Sequence, residues 1–321
     1  MLQKLNSKLE KIMPLLTPTS VILGVIFAVY LEGFAFLIPW IFAFMTFSGS
    51  LSSNFKSLQH VVLHPLPLIL SMMILHLIMP LWAWGIGHLA FSGDTFTITG
   101  LLLGMIIPTG ISSFLWVSIY RGNISLTLTI ILIDTLLSPF IVPFVLSLFV
   151  GAKVEMDVFS MMKGLFGMVV IPSLLGMFIN EITKGKVTKV LSPRLAPFSK
   201  LSLAIVVMIN SAVVAPYLRN VDLKLVTIAF VVFLTAFCGY LFAFLIGKLF
   251  KQDRETIIAL TFTGGMRNIS AGAVLAIAYF PAPVAVPVVV GMLFQQILAS
   301  LYGLFMGRVY KQHDPKKKHA A

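Results

Sequence analysis

The stretch RETIIALTFTGGMRNISAGAVLAIAYF, residues 254–280, decides the fold. Two apolar halves flank Gly264-Gly265, and Arg267 stands just beyond the glycines. About 20 apolar residues in a row carry a helix across a hydrocarbon core of roughly 30 Å, and here the run is interrupted near its middle. The segment FTITGLLLGMIIPTGISSFLWVSIY, residues 96–120, has the same plan, with Pro108-Thr109-Gly110 as the interruption. Glycine and proline also make ordinary kinks in membrane helices. Unwound backbone at membrane depth, however, is tolerated only where protein or a watery cavity satisfies it. Both segments therefore predict membrane helices broken at a site.

The rest of the chain agrees. It is 59% hydrophobic and only 11% charged, against about 25% charged in a soluble globular protein. Residues 12–31, 33–55 and 225–247 contain no Asp, Glu, Lys or Arg. The predicted fold class is an all-α membrane protein with ten transmembrane helices, at 14–31, 33–51, 63–89, 96–120, 122–150, 156–181, 199–217, 222–249, 254–280 and 282–310. The two broken segments are then helices 4 and 9, in matching places of two five-helix halves. Five is odd, so the second half runs inverted. Paired interruptions of this kind are the best sequence pointer to a transporter's binding site. The expected organisation is one transmembrane domain: residues 1–150 as the first inverted repeat, 151–310 as the second, and 311–321 as a basic cytoplasmic tail.

The net charge of +12 does not predict nucleic-acid binding, because the basic residues sit in short loops and at the termini. With the N-terminus inside, the outer loops hold only Lys153, Arg219 and Lys224, which places both termini in the cytoplasm. The start, MLQKLNSKLEKIM, interleaves lysines with Leu2, Leu5, Leu9 and Ile12. That pattern predicts a short amphipathic helix on the membrane surface rather than a signal peptide. It lacks transit-peptide character, which favours a cell (inner) membrane over an organelle. Cys238, the single cysteine, is expected to be a buried packing residue. His60 and His64 have a metal-binding spacing but no third ligand nearby. The tryptophans Trp40, Trp82, Trp84 and Trp116 are expected to be interface anchors or lipid-facing packing, with a place lining the site as the alternative for Trp116, just after the break; the tail's basic residues are expected to be solvated, with contact to anionic lipid as the alternative.

Asp134 and Arg267 are the charges that fall deep within spans. An isolated charge there costs at least about 2.5–3.5 kcal/mol, so each needs a partner or a cavity. As the deep pair of opposite sign they are expected to face each other, with Arg267 presenting a cation to an anionic substrate and Asp134 holding it or exchanging a proton. The competing reading is a static ion pair that fixes helix register. Neutral ligating groups lie around them: Thr109, Ser112, Ser113, Thr127, Thr263, Asn268 and Gln296. Half-helix N-termini at Gly110 and Gly265 would aim backbone N–H groups at an anion, with Met266 lying between Gly265 and Arg267. An enzyme would need two deep carboxylates, a serine with a histidine base, or a full metal set; Asp134 is the lone deep acid, and His76 has no serine partner in view.

Three segments carry a family likeness. MTFSGSLSSNFKSL (45–58) resembles the turn after the second helix of the bile acid:sodium symporter family. IPTGISSFLWVSIYRGNISL (107–126) and TGGMRNISAGAVLAIAYFPAPVAVP (263–287) resemble that family's two crossing segments. The resemblance implies broken helices 4 and 9 that cross, a core domain and a panel domain, and cations bound at the crossing. Of the family's sodium ligands it keeps Ser113, Thr127 and the position of Thr263, where the family has a glutamate. Other ligand positions fall on Phe114, Ile131 and Arg267, while Asn268 is kept; the family glutamine on the third helix aligns nearest Leu75, beside His76. A hard cation needs several oxygen ligands, and Phe114, Ile131 and Arg267 offer none. The implied function is secondary active transport of an organic anion, a carboxylate or a bile-acid-like molecule, by alternating access. The coupling ion is sodium or, through Asp134 or His76, a proton; sodium-independent transport with Arg267 in place of the ion is the alternative. No organic cofactor is expected. A non-transporting sensor or a channel on this scaffold is the reading of another class.

Overall fold

The computed structural model describes residues 2–53, 65–151, 154, 157–219 and 221–311. Its main helices in chain order are α1 (Leu2–Ile26), α2 (Ala28–Ser50), α3 (Pro65–Ala90), α4 (Thr95–Ile106), α5 (Ser112–Ile119) and α6 (Ile124–Val150). They continue with α7 (Val158–Ile182), α8 (Ser192–Val213), α9 (Leu223–Leu249), α10 (Arg254–Gly265), α11 (Ile269–Tyr279) and α12 (Ala285–Lys311). The one extended pairing among the described residues is a single antiparallel bridge between Thr109 and Arg267. His60, His64, Lys153 and the tail beyond Lys311 lie outside the described residues.

Seven helices are long and apolar enough to cross a membrane unaided: α2, α3, α6, α7, α8, α9 and Ala282–Tyr310, most of which is α12. The chain is a multi-pass membrane protein. Shorter apolar helices are Leu15–Ile26 at the end of α1, α4 and α11. The difference from the ten expected spans has a plain cause at 96–120 and 254–280. Each is split into two helices, and one such piece of 12 residues reaches only about 18 Å. At the N-terminus the structure corrects the reading of a separate surface helix, because α1 runs unbroken from Leu2 to Ile26.

Contacts divide the helices into two groups. In one, α1 packs on α8, and α2 packs on both α7 and α8. In the other, α3 packs on α4, α9 on α10 and α12, α11 on α12, and α6 on α4, α5 and α10. The groups meet through α8 and α1, which touch α11 and α12 respectively, and through α7 on α6.

The helix starts follow from short polar side chains. Asp94 accepts the Thr97 N–H (3.1 Å) to open α4, and Asp253 accepts the Thr256 N–H (2.7 Å) to open α10. Asn123 does the same for α6, and Asn268 caps α11. Each such cap satisfies an orphan N–H and contributes about 1 kcal/mol. α4 and α10, the first halves of the two broken segments, thus begin with the same Asp-x-x-Thr device. α3 contains a π-helical turn, Ile74–Ile78, which carries His76; such turns occur frequently at functional sites.

Candidate functional site

Proline explains the first break. The residue before a proline is driven out of the helical region, and Ile107 adopts φ −59°, ψ 149°. At the second break Met266 turns extended, at φ −97°, ψ 129°. The two unwound strands lie antiparallel and bond to each other: Gly110 N–H to the Met266 carbonyl (3.3 Å) and Asn268 N–H to the Pro108 carbonyl (2.8 Å). Gly110 is needed for this approach, since a β-carbon there would lie 2.9 Å from the Arg267 carbonyl oxygen. At Gly265 a β-carbon would fall inside the Tyr240 ring.

The remaining N–H groups of the bridge go to side chains. Thr109 N–H donates to Asp134 Oδ2 (2.6 Å), and Arg267 N–H donates to Gln295 Oε1 (3.0 Å). All four N–H groups from Thr109, Gly110, Arg267 and Asn268 are therefore satisfied, as buried backbone requires. The Thr109 hydroxyl adds bonds to the carbonyls of Thr263 (2.8 Å) and Met266 (2.9 Å).

The two deep charges do not meet as expected. Asp134, fully buried, pairs through Oδ1 with His76 Nε2 at 2.8 Å, while its other oxygen holds Thr109. Arg267 is 2% exposed, and its Nε, Nη1 and Nη2 are buried without a hydrogen-bond partner. The expected Asp134–Arg267 contact is thus replaced by an Asp134–His76 contact. His76 reaches in from α3, and only the fold determines which nitrogen group arrives first.

Arg267 lines a cavity of about 210 Å³ between the two helix groups. The candidates Gly110, Ser112, Asn268 and Gln296 also line it, facing Thr46 of α2 and Ser199 of α8. Trp116 Nε1 donates to Gln296 Oε1 (3.3 Å) and so sits at its edge. Ser113, Thr127, Asp134, Thr263 and His76 are not among the residues lining this cavity, nor are Gly265 and Met266. Ser113 Oγ is buried without a partner. Thr127 donates to the Asn123 carbonyl (2.8 Å) and Thr263 to that of Ala259 (2.8 Å), each within its own helix. Gln295, which the sequence reading passed over for Gln296, lies on the stripe Val288, Met292, Gln295, Ala299 of α12, whose helical spacing marks the face toward the break.

Broken helices bonded to each other, with a cationic cavity beside them, define a multi-pass membrane transporter. The chain belongs to the sodium bile acid symporter family, whose model matches residues 39–221. It is 59% identical over 296 residues to the uncharacterized protein YbaS of Bacillus subtilis strain 168, covering 92% of this chain and 97% of that one. It is 26% identical over 301 residues to the uncharacterized sodium-dependent transporter YocS of the same strain, covering 92% of both. A probable chloroplastic sodium/metabolite cotransporter, BASS1 of Oryza sativa subsp. japonica, is 24% identical over 277 residues, 86% of this chain and 66% of that protein. The family and the relatives named as transporters are not enzymes.

Sodium, which the family name implies as a cargo ion, finds fewer side-chain ligands at this crossing than the resemblance implies. Phe114 and Ile131 carry no oxygen, Ser113 Oγ is buried without a partner, and the carbonyls of Pro108, Thr263 and Met266 each accept a hydrogen bond. The one buried carboxylate beside the breaks, Asp134, is held by His76 and Thr109. A buried guanidinium stands within electrostatic reach of it and would repel a second cation.

Proposed function

We propose that this chain is a secondary active transporter that carries a small organic anion by alternating access, in a cell (inner) membrane with both termini cytoplasmic. In this reading the chain has ten spans as two inverted five-helix repeats. The helices α1, α2, α7 and α8 form the panel, and the others form a core around the crossing. The carrying observation is Arg267: three buried guanidinium nitrogens without a partner, beside a cavity between the two groups. An unpaired buried cation costs several kcal/mol, and a carboxylate is the group whose two oxygens match the guanidinium fork. Ser112, Asn268 and Gln296 supply neutral donors around it.

Size favours a small carboxylate over a bile-acid-like one. A cavity of about 210 Å³ falls below the roughly 300–1,000 Å³ of pockets that enclose drug-sized ligands. The names of the relatives, one sodium-dependent and one a sodium/metabolite cotransporter, support coupled carriage of a metabolite rather than a channel or sensor.

A thermal-shift screen of carboxylates on the purified protein identifies the anion, since a ligand at 100 times its Kd stabilises by about 2.7 kcal/mol. Uptake of that anion into proteoliposomes then tests the site. Arg267→Ala is expected to reduce uptake to background without lowering the ligand-free melting temperature, because it removes a buried guanidinium that has no hydrogen-bond partner. Undiminished uptake by this variant refutes the role given to Arg267.

A further inference from the structure

We propose that the His76–Asp134 pair is a proton-binding site, and that one proton taken up there accompanies each monovalent anion bound at Arg267. The inference rests on the anion reading above and names its coupling ion. Three observations carry it. Asp134 is fully buried and pairs with His76 Nε2, the less buried partner at 12% exposure. His76 Nδ1 is buried with no hydrogen-bond partner among the described residues, and in the tautomer that keeps its proton on Nε2, toward Asp134, Nδ1 carries a free lone pair. The second oxygen of Asp134 holds the Thr109 N–H at the first break, joining the pair to the crossing.

Charge balance gives the stoichiometry. With neutral His76, the deep groups Asp134 and Arg267 sum to zero. A bound monoanion brings the sum to minus one, and an unbalanced charge at membrane depth is costly. A compensating cation is required, and Phe114, Ile131 and Arg267 leave the crossing short of side-chain oxygens for sodium. A proton needs only one lone pair. Drawn from the aqueous phase, it adds to Nδ1 and gives an imidazolium whose Nε2 faces the Asp134 carboxylate. The loaded site is then neutral, and the proton is lost again from Nδ1 when the anion leaves.

The other ionisable groups near the pair are few. Arg267 lies within electrostatic reach of Asp134 and of buried Tyr240. On α3, α6 and the elements packed against them, Lys163, Glu181, Lys224, Lys248, Arg254 and Glu255 are exposed and His88 is half-buried. Arg267 and Tyr240 therefore share the field of the pair, and the imidazolium depends on Asp134 for its stabilisation.

Two measurements on the full-length protein in proteoliposomes decide the matter. The chain has six histidines, and ¹⁵N-histidine NMR resolves them, the His76 signal being the one lost in His76→Gln. That signal is expected to change from neutral ring to imidazolium as pH is lowered, and the change is expected to differ in Asp134→Asn, which keeps an acceptor for Thr109. A His76 that stays neutral throughout, or titrates identically in Asp134→Asn, overturns the proton site. The flux test uses radiolabelled 2-oxobutyrate with choline replacing sodium. An inward proton gradient is expected to drive its accumulation in the wild type, and the ratio of gradient-driven accumulation to exchange should collapse in His76→Gln. Accumulation that needs sodium and ignores the proton gradient overturns the coupling. If the wild type carries no 2-oxobutyrate, the flux test is repeated with the carboxylate that the thermal-shift screen selects, and the NMR titration still decides whether a proton is bound.

Discussion

At residues 108–110 the unwound backbone is answered by a carboxylate, Asp134, whose other oxygen is held by a histidine. At residues 266–268 the corresponding N–H goes instead to the neutral amide of Gln295. The positions correspond closely, since Thr109 and Arg267 are bridge partners and their acceptors lie on α6 and α12, the helices that follow each broken segment. The side chains at the bridge differ more sharply. The Thr109 hydroxyl turns inward and closes two carbonyls, whereas the Arg267 side chain has no bonded partner. One break is saturated by its own protein, and the other keeps an unmet charge. Such asymmetry separates the groups that hold the crossing together from the one cation there that they leave without a hydrogen-bond partner.

Removing each acceptor should reveal the asymmetry as stability. Asp134→Ala leaves a buried N–H and an unpaired histidine, and is expected to cost about 3–5 kcal/mol. Gln295→Ala leaves only a neutral N–H, for about 1–3 kcal/mol. Thermal unfolding of both variants in detergent checks the order, and equal losses would erase the distinction between the breaks. Next in size is Gly265→Ala, whose β-carbon meets the Tyr240 ring. Overpacking of this kind costs about 1–3 kcal/mol, and the double variant Gly265→Ala, Tyr240→Ala should recover part of it; no recovery means that Tyr240 is not the obstacle.

The smallest effect lies at a helix start, where the two broken segments also differ. Asp94 has a cation on it, Lys224 Nζ at 2.7 Å, and lies below its ordinary value of 3.8: burial pushes its pKa up, but hydrogen bonds from Lys224 and Thr97 outweigh that. A depressed carboxyl contributes stability above the unfolded-state value and loses it as pH falls through the folded one. Asp94→Asn should therefore destabilise by less than about 1 kcal/mol at neutral pH. The difference from wild type should fade as melting is repeated below pH 3.8. A difference that persists in acid would assign the effect to the helix cap rather than to the ion pair.

The breaks themselves were legible, because Pro108, Gly110 and Gly264-Gly265 act locally on the backbone, and so were the two deep charges, because depth follows from counting along a span. The partners were not. Whether Asp134 meets Arg267 or His76 depends on the rotation of α3 against α6, and that is set by packing over the whole interface. The choice between Gln295 and Gln296 turned on helical phase, which the stripe from Val288 to Ala299 would have supplied. The missing break between the amphipathic start and the first span was also illegible, since both patterns are helical and nothing in their composition says that they share an axis.

The four backbone donors at the crossing have consequences for motion. Because half of them are satisfied across the bridge, pulling the two strands apart would strand amides where no water can reach them. The crossing is thus a clasp that must travel as a unit. In the alternating-access reading, the two helix groups slide past each other where α8 meets α11, α1 meets α12 and α7 meets α6, so spin labels straddling that seam should change separation during turnover, while labels flanking the clasp keep theirs.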